Sequence, residues 1–174
     1  KSVSFVLLIM MGVVGVSTSA LAAFDRSLEP VIVVGSQLPA FLGKSTDGVR
    51  VYAYFGGVWQ PMPFQIDDFK AKEGELDEKE IDWEGHETLL SLDEVVFMAK
   101  DVGDRAGDDA WPQDVEARDN ARYEIALTDP LTADSAYAYI YYSTTLATSG
   151  ASYVAYTNDE AKKRDYVKTS IYTI

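Results

Sequence analysis

Ala136-Tyr137-Ala138-Tyr139-Ile140-Tyr141-Tyr142-Ser143 is the stretch on which the fold turns. Side chains alternate across an extended chain, so Tyr137, Tyr139 and Tyr141 share one face while Ala138, Ile140 and Tyr142 share the other. Aromatic residues suit a pleated, half-buried surface, which makes this the strongest strand in the sequence. Just upstream, residues 122–128 place Tyr123, Ile125 and Leu127 on one side, and Asp129-Pro130 turns the chain between the two runs.

The same period recurs toward the amino terminus. Val49, Val51, Ala53 and Phe55 alternate with Arg50, Tyr52 and Tyr54, and Gly56-Gly57 separates that run from Val58-Trp59-Gln60. Two glycines between strand-like runs predict a tight hairpin, which needs positive φ at its centre. Val31-Ile32-Val33-Val34 before Gly35 predicts a buried first strand, and Glu94-Val95-Val96-Phe97-Met98-Ala99 predicts another. A strand over 62–66 is interrupted by Pro61 and Pro63, which places it at an edge or bulge. Residues 152–157 and 165–174 read as the arms of a last hairpin. Between these runs, 69–88 and 100–120 are charged and aperiodic and predict long loops, the first with one helical turn near 77–81. The reading is an all-β, antiparallel sandwich or barrel-like domain with long acidic loops and no substantial helix after residue 22.

Ahead of it, Lys1, an apolar run over 2–16 and the small-residue stretch Ser17-Thr18-Ser19-Ala20-Leu21-Ala22 have the three-part plan of an export signal helix. Cleavage is expected between Ala22 and Ala23. The alternative is an uncleaved anchor, and membrane contact is expected only through this segment. The expected organisation is a signal peptide over 1–22 and one β-rich domain over 23–174, truncated at its carboxyl end, in a periplasmic, cell-surface or extracellular protein.

Charge narrows the partners. Asp and Glu number 28 against 15 Lys and Arg, a net charge of −13, and 20 of those acids lie between Asp67 and Glu124. Such a surface repels phosphate backbones, so nucleic acid is not an expected ligand. Cysteine is absent and His86 is the single histidine, which excludes disulfides, thiolate metal sites and multi-histidine centres in these residues.

Acids and aromatics supply the candidate sites. Asp67-Asp68 closes the run Pro63-Phe64-Gln65-Ile66, and Asp93, Asp101 and Asp104 flank the later strand. Calcium requires six to eight hard oxygens, so Asp67, Asp68, Asp93, Asp101 and Asp104 are the candidate ligands for Ca2+. Neighbours in a strand point to opposite faces, and the 101–108 segment fails the register of an EF-hand loop; turns that accept backbone hydrogen bonds are the plainer reading of both. Trp59, Trp83, Trp111 and the tyrosine stripe could stack on sugar rings if exposed, while a stripe of this kind more often covers a sheet. Trp59, Gln65, Asp67, Asp68 and Tyr139 are the candidate ligand-binding residues. His86, in a charged loop, is expected to be solvated.

Taken together, Pro63-Phe64-Gln65-Ile66-Asp67-Asp68, Leu92-Asp93-Glu94-Val95-Val96-Phe97-Met98-Ala99 and Gly103-Asp104-Arg105-Ala106 resemble a group of uncharacterised exported bacterial proteins. In that group a PFQID strand precedes a DELVFMA-like strand and a GDRA turn. The resemblance spans most of residues 30–174 and implies export and a β frame, with no activity attached. Asp68 stands where the group has glutamate, and Val95 where leucine is commoner. The expected function is a secreted or envelope-associated binding or structural module for a glycan, another cell-envelope component or calcium. The rival is a carbohydrate-active enzyme that uses Asp67, Asp68, Asp93 or Glu94 as acid and base.

Overall fold

A computed structural model describes residues 28–72, 78–82, 84–159 and 164–169, and the expected signal segment over 1–22 and Trp83 lie outside them. The strands are β1 (Pro30–Val34), β2 (Val49–Phe55), β3 (Val58–Pro61), β4 (Gln65–Asp67), β5 (Phe69–Ala71), β6 (Lys79–Ile81), β7 (Glu94–Met98), β8 (Tyr123–Thr128), β9 (Ser135–Tyr142), β10 (Val154–Asp159) and β11 (Arg164–Thr169). Every pairing among them is antiparallel: a four-stranded sheet ordered β3-β2-β9-β8, a three-stranded sheet ordered β1-β7-β4, and the hairpins β5-β6 and β10-β11. The all-β expectation holds.

The stretch 136–143 forms β9, central in the larger sheet, and its two faces go to two clusters. Ala138 and Ile140 join Val49, Val51 and Ala53 of β2 with Val33 of β1 and Val95 and Phe97 of β7, so one apolar cluster draws on both sheets. Tyr139 and Tyr141 turn the other way, against Tyr52, Ala106, Ala117, Trp59 and Trp111. Both rings are fully buried because segment 106–117 covers this face of the sheet. Burying rings of this size supplies a large share of a small core's stabilisation.

The hairpin at Gly56-Gly57 has the positive φ values expected, 53° and 100°. Other expectations need correction. The 62–66 strand lies instead at Gln65–Asp67, beyond both prolines, at the edge of the three-stranded sheet against β7, where no proline interrupts the ladder. β1 is an edge strand: Val33 is buried while Ile32 is half exposed, so its apolar run alternates in burial and is not buried throughout. The 69–88 stretch holds the β5-β6 hairpin and no helical turn among its described residues. Cross-strand pairs Lys70–Glu80 (3.9 Å) and Lys72–Glu78 (2.8 Å) give this hairpin the opposite-charge register that a sequence periodicity does not display. A five-residue helix, α1 (Val115–Asp119), interrupts the second loop, with Asp114 as its cap: the Asp114 side chain accepts from Ala117 N–H at 2.7 Å. No described helix is long and apolar enough to cross a membrane.

One irregularity organises the larger sheet. Tyr52 pairs with Tyr139, so in register Tyr54 would face Tyr137. Instead the chain at Gly103 slips between them: Gly103 exchanges both backbone hydrogen bonds with Tyr137 at 2.9 Å, and Asp104 N–H donates to the Tyr54 carbonyl at 2.7 Å. The Asp104 carboxylate then accepts from Gly56 N–H (3.0 Å), holding the hairpin turn. Arg105 pairs with Glu124 on β8 (3.1 Å), and Ala106 N–H donates to the Tyr139 hydroxyl (2.6 Å). Each residue of Gly103-Asp104-Arg105-Ala106 thus ties this inserted segment to a different part of the sheet.

Candidate functional site

Two places on this frame gather side chains with chemical capacity. The first is an open groove of about 660 Å³ on the tyrosine face of the larger sheet, within the size range of small-ligand sites. Trp59 on β3 and Trp111 on the loop before α1 supply its aromatic wall, with Tyr54 beside them and Asp109 and Gln113 at its edge. Trp59 packs against Tyr54 with the rings tilted at 53° and 4.8 Å between centroids, and makes T-shaped contacts with Tyr139 (5.0 Å) and Tyr141 (5.7 Å). The Arg122 guanidinium lies 5.1 Å from the Trp111 ring centre, and the indole N–H donates to the Asp108 carbonyl at 3.2 Å. The two indoles are therefore held in place before any ligand arrives.

The floor is equally fixed. The Tyr52 hydroxyl donates to the Ala147 carbonyl (2.6 Å), and Arg50 Nε donates to the Leu146 carbonyl (2.9 Å). Burial raises the Tyr52 pKa, only partly opposed by Arg50, so the phenol stays a donor at any physiological pH. Tyr139, one of the expected ligand-binding residues, lies wholly beneath this floor. Its hydroxyl accepts from Ala106 N–H and lies 3.3 Å from Glu124 Oε2 as donor, so its contact with the groove is made through Trp59.

Asp114 and Glu116 lock α1 to the end of β9. Asp114 accepts from Ser143 Oγ (2.9 Å) and Thr145 Oγ1 (2.6 Å), and Glu116 accepts from Thr144 N–H (2.7 Å) and Thr144 Oγ1 (2.9 Å). Burial alone would raise the Asp114 pKa, but the bonds from Thr145, Ala117 and Ser143 together outweigh it and lower the value; in Glu116 the Thr144 bonds lower it outright. A depressed folded-state pKa contributes stability that is present above the ordinary values of 3.8 and 4.5 and is lost as pH falls through the lower folded values. Urea denaturation as a function of pH is expected to show stability falling below about pH 4.5, with a shallower fall in Glu116→Gln. Equal slopes in the two proteins would contradict this assignment.

The second place lies where β4, β5 and β7 meet. Asp67 and Asp68 diverge: Asp67 accepts from Gln65 Nε2 at 2.9 Å on the exposed side, while Asp68 turns toward the 84–88 segment. His86 sits between two carboxylates, with Nδ1 3.3 Å from Asp68 Oδ1 and Nε2 3.3 Å from Asp93 Oδ1. The histidine expected to be solvated retains only 18 % of its side-chain exposure. Gly85 makes the turn that brings it in, at φ +68°, and Asp68 Oδ2 accepts from His86 N–H at 3.3 Å. Asp93 is fully buried; its Oδ1 accepts from Phe69 N–H (3.0 Å) and its Oδ2 from Leu90 N–H (2.5 Å). Beside it, Lys79 pairs with Glu94 at 2.6 Å and covers the Phe69 ring at 4.0 Å.

Asp68, His86 and Asp93 are the one group of three such side chains, among the described residues, whose oxygen and nitrogen atoms converge. Of the five carboxylates expected to hold calcium, only Asp68 and Asp93 belong to it. Asp101 pairs with Lys100 (2.8 Å) and accepts from the Tyr153 hydroxyl (2.7 Å), which anchors the β10-β11 hairpin, and Asp104 serves the inserted segment. Sequence reasoning missed His86 because its partners come from residues 18 and 7 positions away with no shared period. The molecule is an all-β protein with an aromatic groove and a separate Asp–His–Asp cluster. No protein-family model matches the chain, nor does any curated protein or solved structure.

Proposed function

We propose that this chain is the β-sandwich binding domain of an exported protein and that its ligand is a glycan held in the Trp59–Trp111 groove. The observation that carries the reading is the pair of pre-positioned indoles lining an open groove whose edge carries Asp109 and Gln113. Sugar rings present C–H faces that stack on aromatic planes and hydroxyls that seek carboxylate and amide partners. The export signal over 1–22 supports an envelope or extracellular setting, where glycans are the abundant polymers. The apolar cluster shared by the two main sheets supports the sandwich.

Binding is favoured over hydrolysis by how the acids are used. A glycosidase needs two carboxylates facing each other across the sugar. None of Asp67, Asp68, Asp93 and Glu94 lines the groove, and of the two acids that do, Asp114 is occupied by Ala117, Ser143 and Thr145. Glycan-array screening followed by titration calorimetry tests the proposal. Trp59→Ala is expected to weaken the best ligand at least ~10-fold, the loss of one stacking contact of about 1.5 kcal/mol. Trp59→Phe, which keeps a ring and the packing on Tyr139 and Tyr141, should retain most of the affinity. Absence of any glycan ligand, or undiminished binding by Trp59→Ala, would remove the glycan reading.

A further inference from the structure

We propose that Asp68, His86 and Asp93 form a binding site for a divalent transition-metal ion of the zinc class, which pins the 84–88 turn to the β4–β5 junction and the start of β7. The site is remote in composition from the aromatic groove, sharing no residue with it, and stands whether or not a glycan binds there.

The geometry of the imidazole is the starting point. Both ring nitrogens are sealed from solvent, yet neither has a hydrogen-bond partner in good alignment, although each has a carboxylate oxygen at 3.3 Å. Leaving two buried ring nitrogens without aligned partners is costly. A separation of 3.3 Å is long for a charge-assisted N–H···O bond, which is usually about 2.7–2.9 Å. For either His–Asp pair it matches the edge between two ligands of one ion, because metal bonds of about 2.0–2.2 Å at tetrahedral to octahedral angles put neighbouring donor atoms roughly 3.0–3.5 Å apart. One ion takes one ring nitrogen, so one of the two pairs forms that edge and the other carboxylate approaches as the third ligand. One donor atom from each of the three residues lies within 4.8 Å of the others, so the three must draw in toward the roughly 3.0–3.5 Å spacing of neighbouring ligands to close on an ion.

The donor set selects the class of ion. One imidazole nitrogen with two carboxylate oxygens suits zinc and its neighbours, which accept nitrogen and oxygen together, whereas calcium requires six to eight oxygens and magnesium keeps most of its waters. Asp93 is itself held by the backbone N–H groups of Phe69 and Leu90, so one ligand is rigid before the ion arrives. Asp68 keeps about a quarter of its exposure, which leaves a side for solvent ligands to complete the coordination.

Thermal melting of the full chain, stripped with chelator and then supplied with zinc chloride or calcium chloride, tests the site. Zinc at about 100-fold over its Kd is expected to raise Tm by roughly 5–10 °C, reversibly with chelator, while calcium leaves it unchanged. His86→Gln and Asp68→Asn are each expected to lose most of that rise. As His86 is the single histidine, its ring nitrogens can be followed by NMR without assignment ambiguity, and zinc should shift one of them strongly. No rise with zinc, an undiminished rise in His86→Gln, or a ring that stays protonated on both nitrogens in saturating zinc would overturn the proposal. A rise with calcium alone would overturn the class of ion.

Discussion

Gly103→Ala is expected to destabilise the fold by about 3–5 kcal/mol, a fall of roughly 10 °C in Tm, measurable by urea and thermal unfolding. A Cβ at this position would lie 2.3 Å from the Tyr54 carbonyl oxygen and 3.1 Å from the Phe55 ring. Backbone oxygen cannot swing aside as a side chain can, so the inserted segment must retreat. Retreat loosens the paired bonds to Tyr137 and the Asp104 bond to Tyr54, and with them the support that Ala106 gives the Tyr139 hydroxyl. Gly107→Ala is the control, because nothing lies within 4 Å of a Cβ there. It should change stability by less than about 0.5 kcal/mol. Similar effects at the two glycines would refute the steric account of the insertion.

Asp93→Ala is the second large effect, expected at about 3–5 kcal/mol. Truncation strands the part-buried N–H groups of Phe69 and Leu90, empties the fully buried position that the carboxylate fills and leaves His86 facing a single carboxylate. Asp93→Asn keeps a carbonyl oxygen for one of those donors and should cost about half as much. Chemical denaturation of the chelator-treated protein separates this structural role from any metal contribution, since the two N–H bonds persist without an ion. If Asp93→Ala lost less than ~1 kcal/mol under those conditions, the carboxylate would not be the keystone of the β4–β5–β7 junction that its hydrogen bonds make it.

The strands could be read because burial and alternation agree there. In β9, Ala138 and Ile140 alternate with Tyr139 and Tyr141, and the structure sends those sets to separate clusters. The loops resisted for a physical reason: β5 and β6 have three residues each, too few for a period to show, and their register rests on charge pairs. That hairpin returns the chain so that His86 meets Asp68 and Asp93, a meeting no local pattern announces. Asp68 and Asp93 could be picked out as acids at strand ends, whereas Asp101 and Asp104 looked equivalent to them and are spent on Tyr153, Lys100 and Gly56. Trp59 was visible as a candidate by its size and its place after the glycine turn. Trp111 was likewise visible by its size, but that it shares a groove with Trp59 emerges only when segment 106–117 folds over the sheet, which also converts Tyr139 from a surface ring into a buried support.

The insertion at Gly103 carries a consequence for how the chain assembles. Hairpin β2-β3 can close across a two-residue turn, but the seam at Tyr54, Gly103 and Tyr137 joins three points far apart along the polypeptide. Loop-closure entropy must be met twice before either contact there gives anything back, so this corner of the sheet belongs among the late steps of folding. Until then the ends of two strands lie unzipped, offering their backbone edges to other chains, and the protein is most exposed to misassociation at the corner that is most tightly interlocked once native.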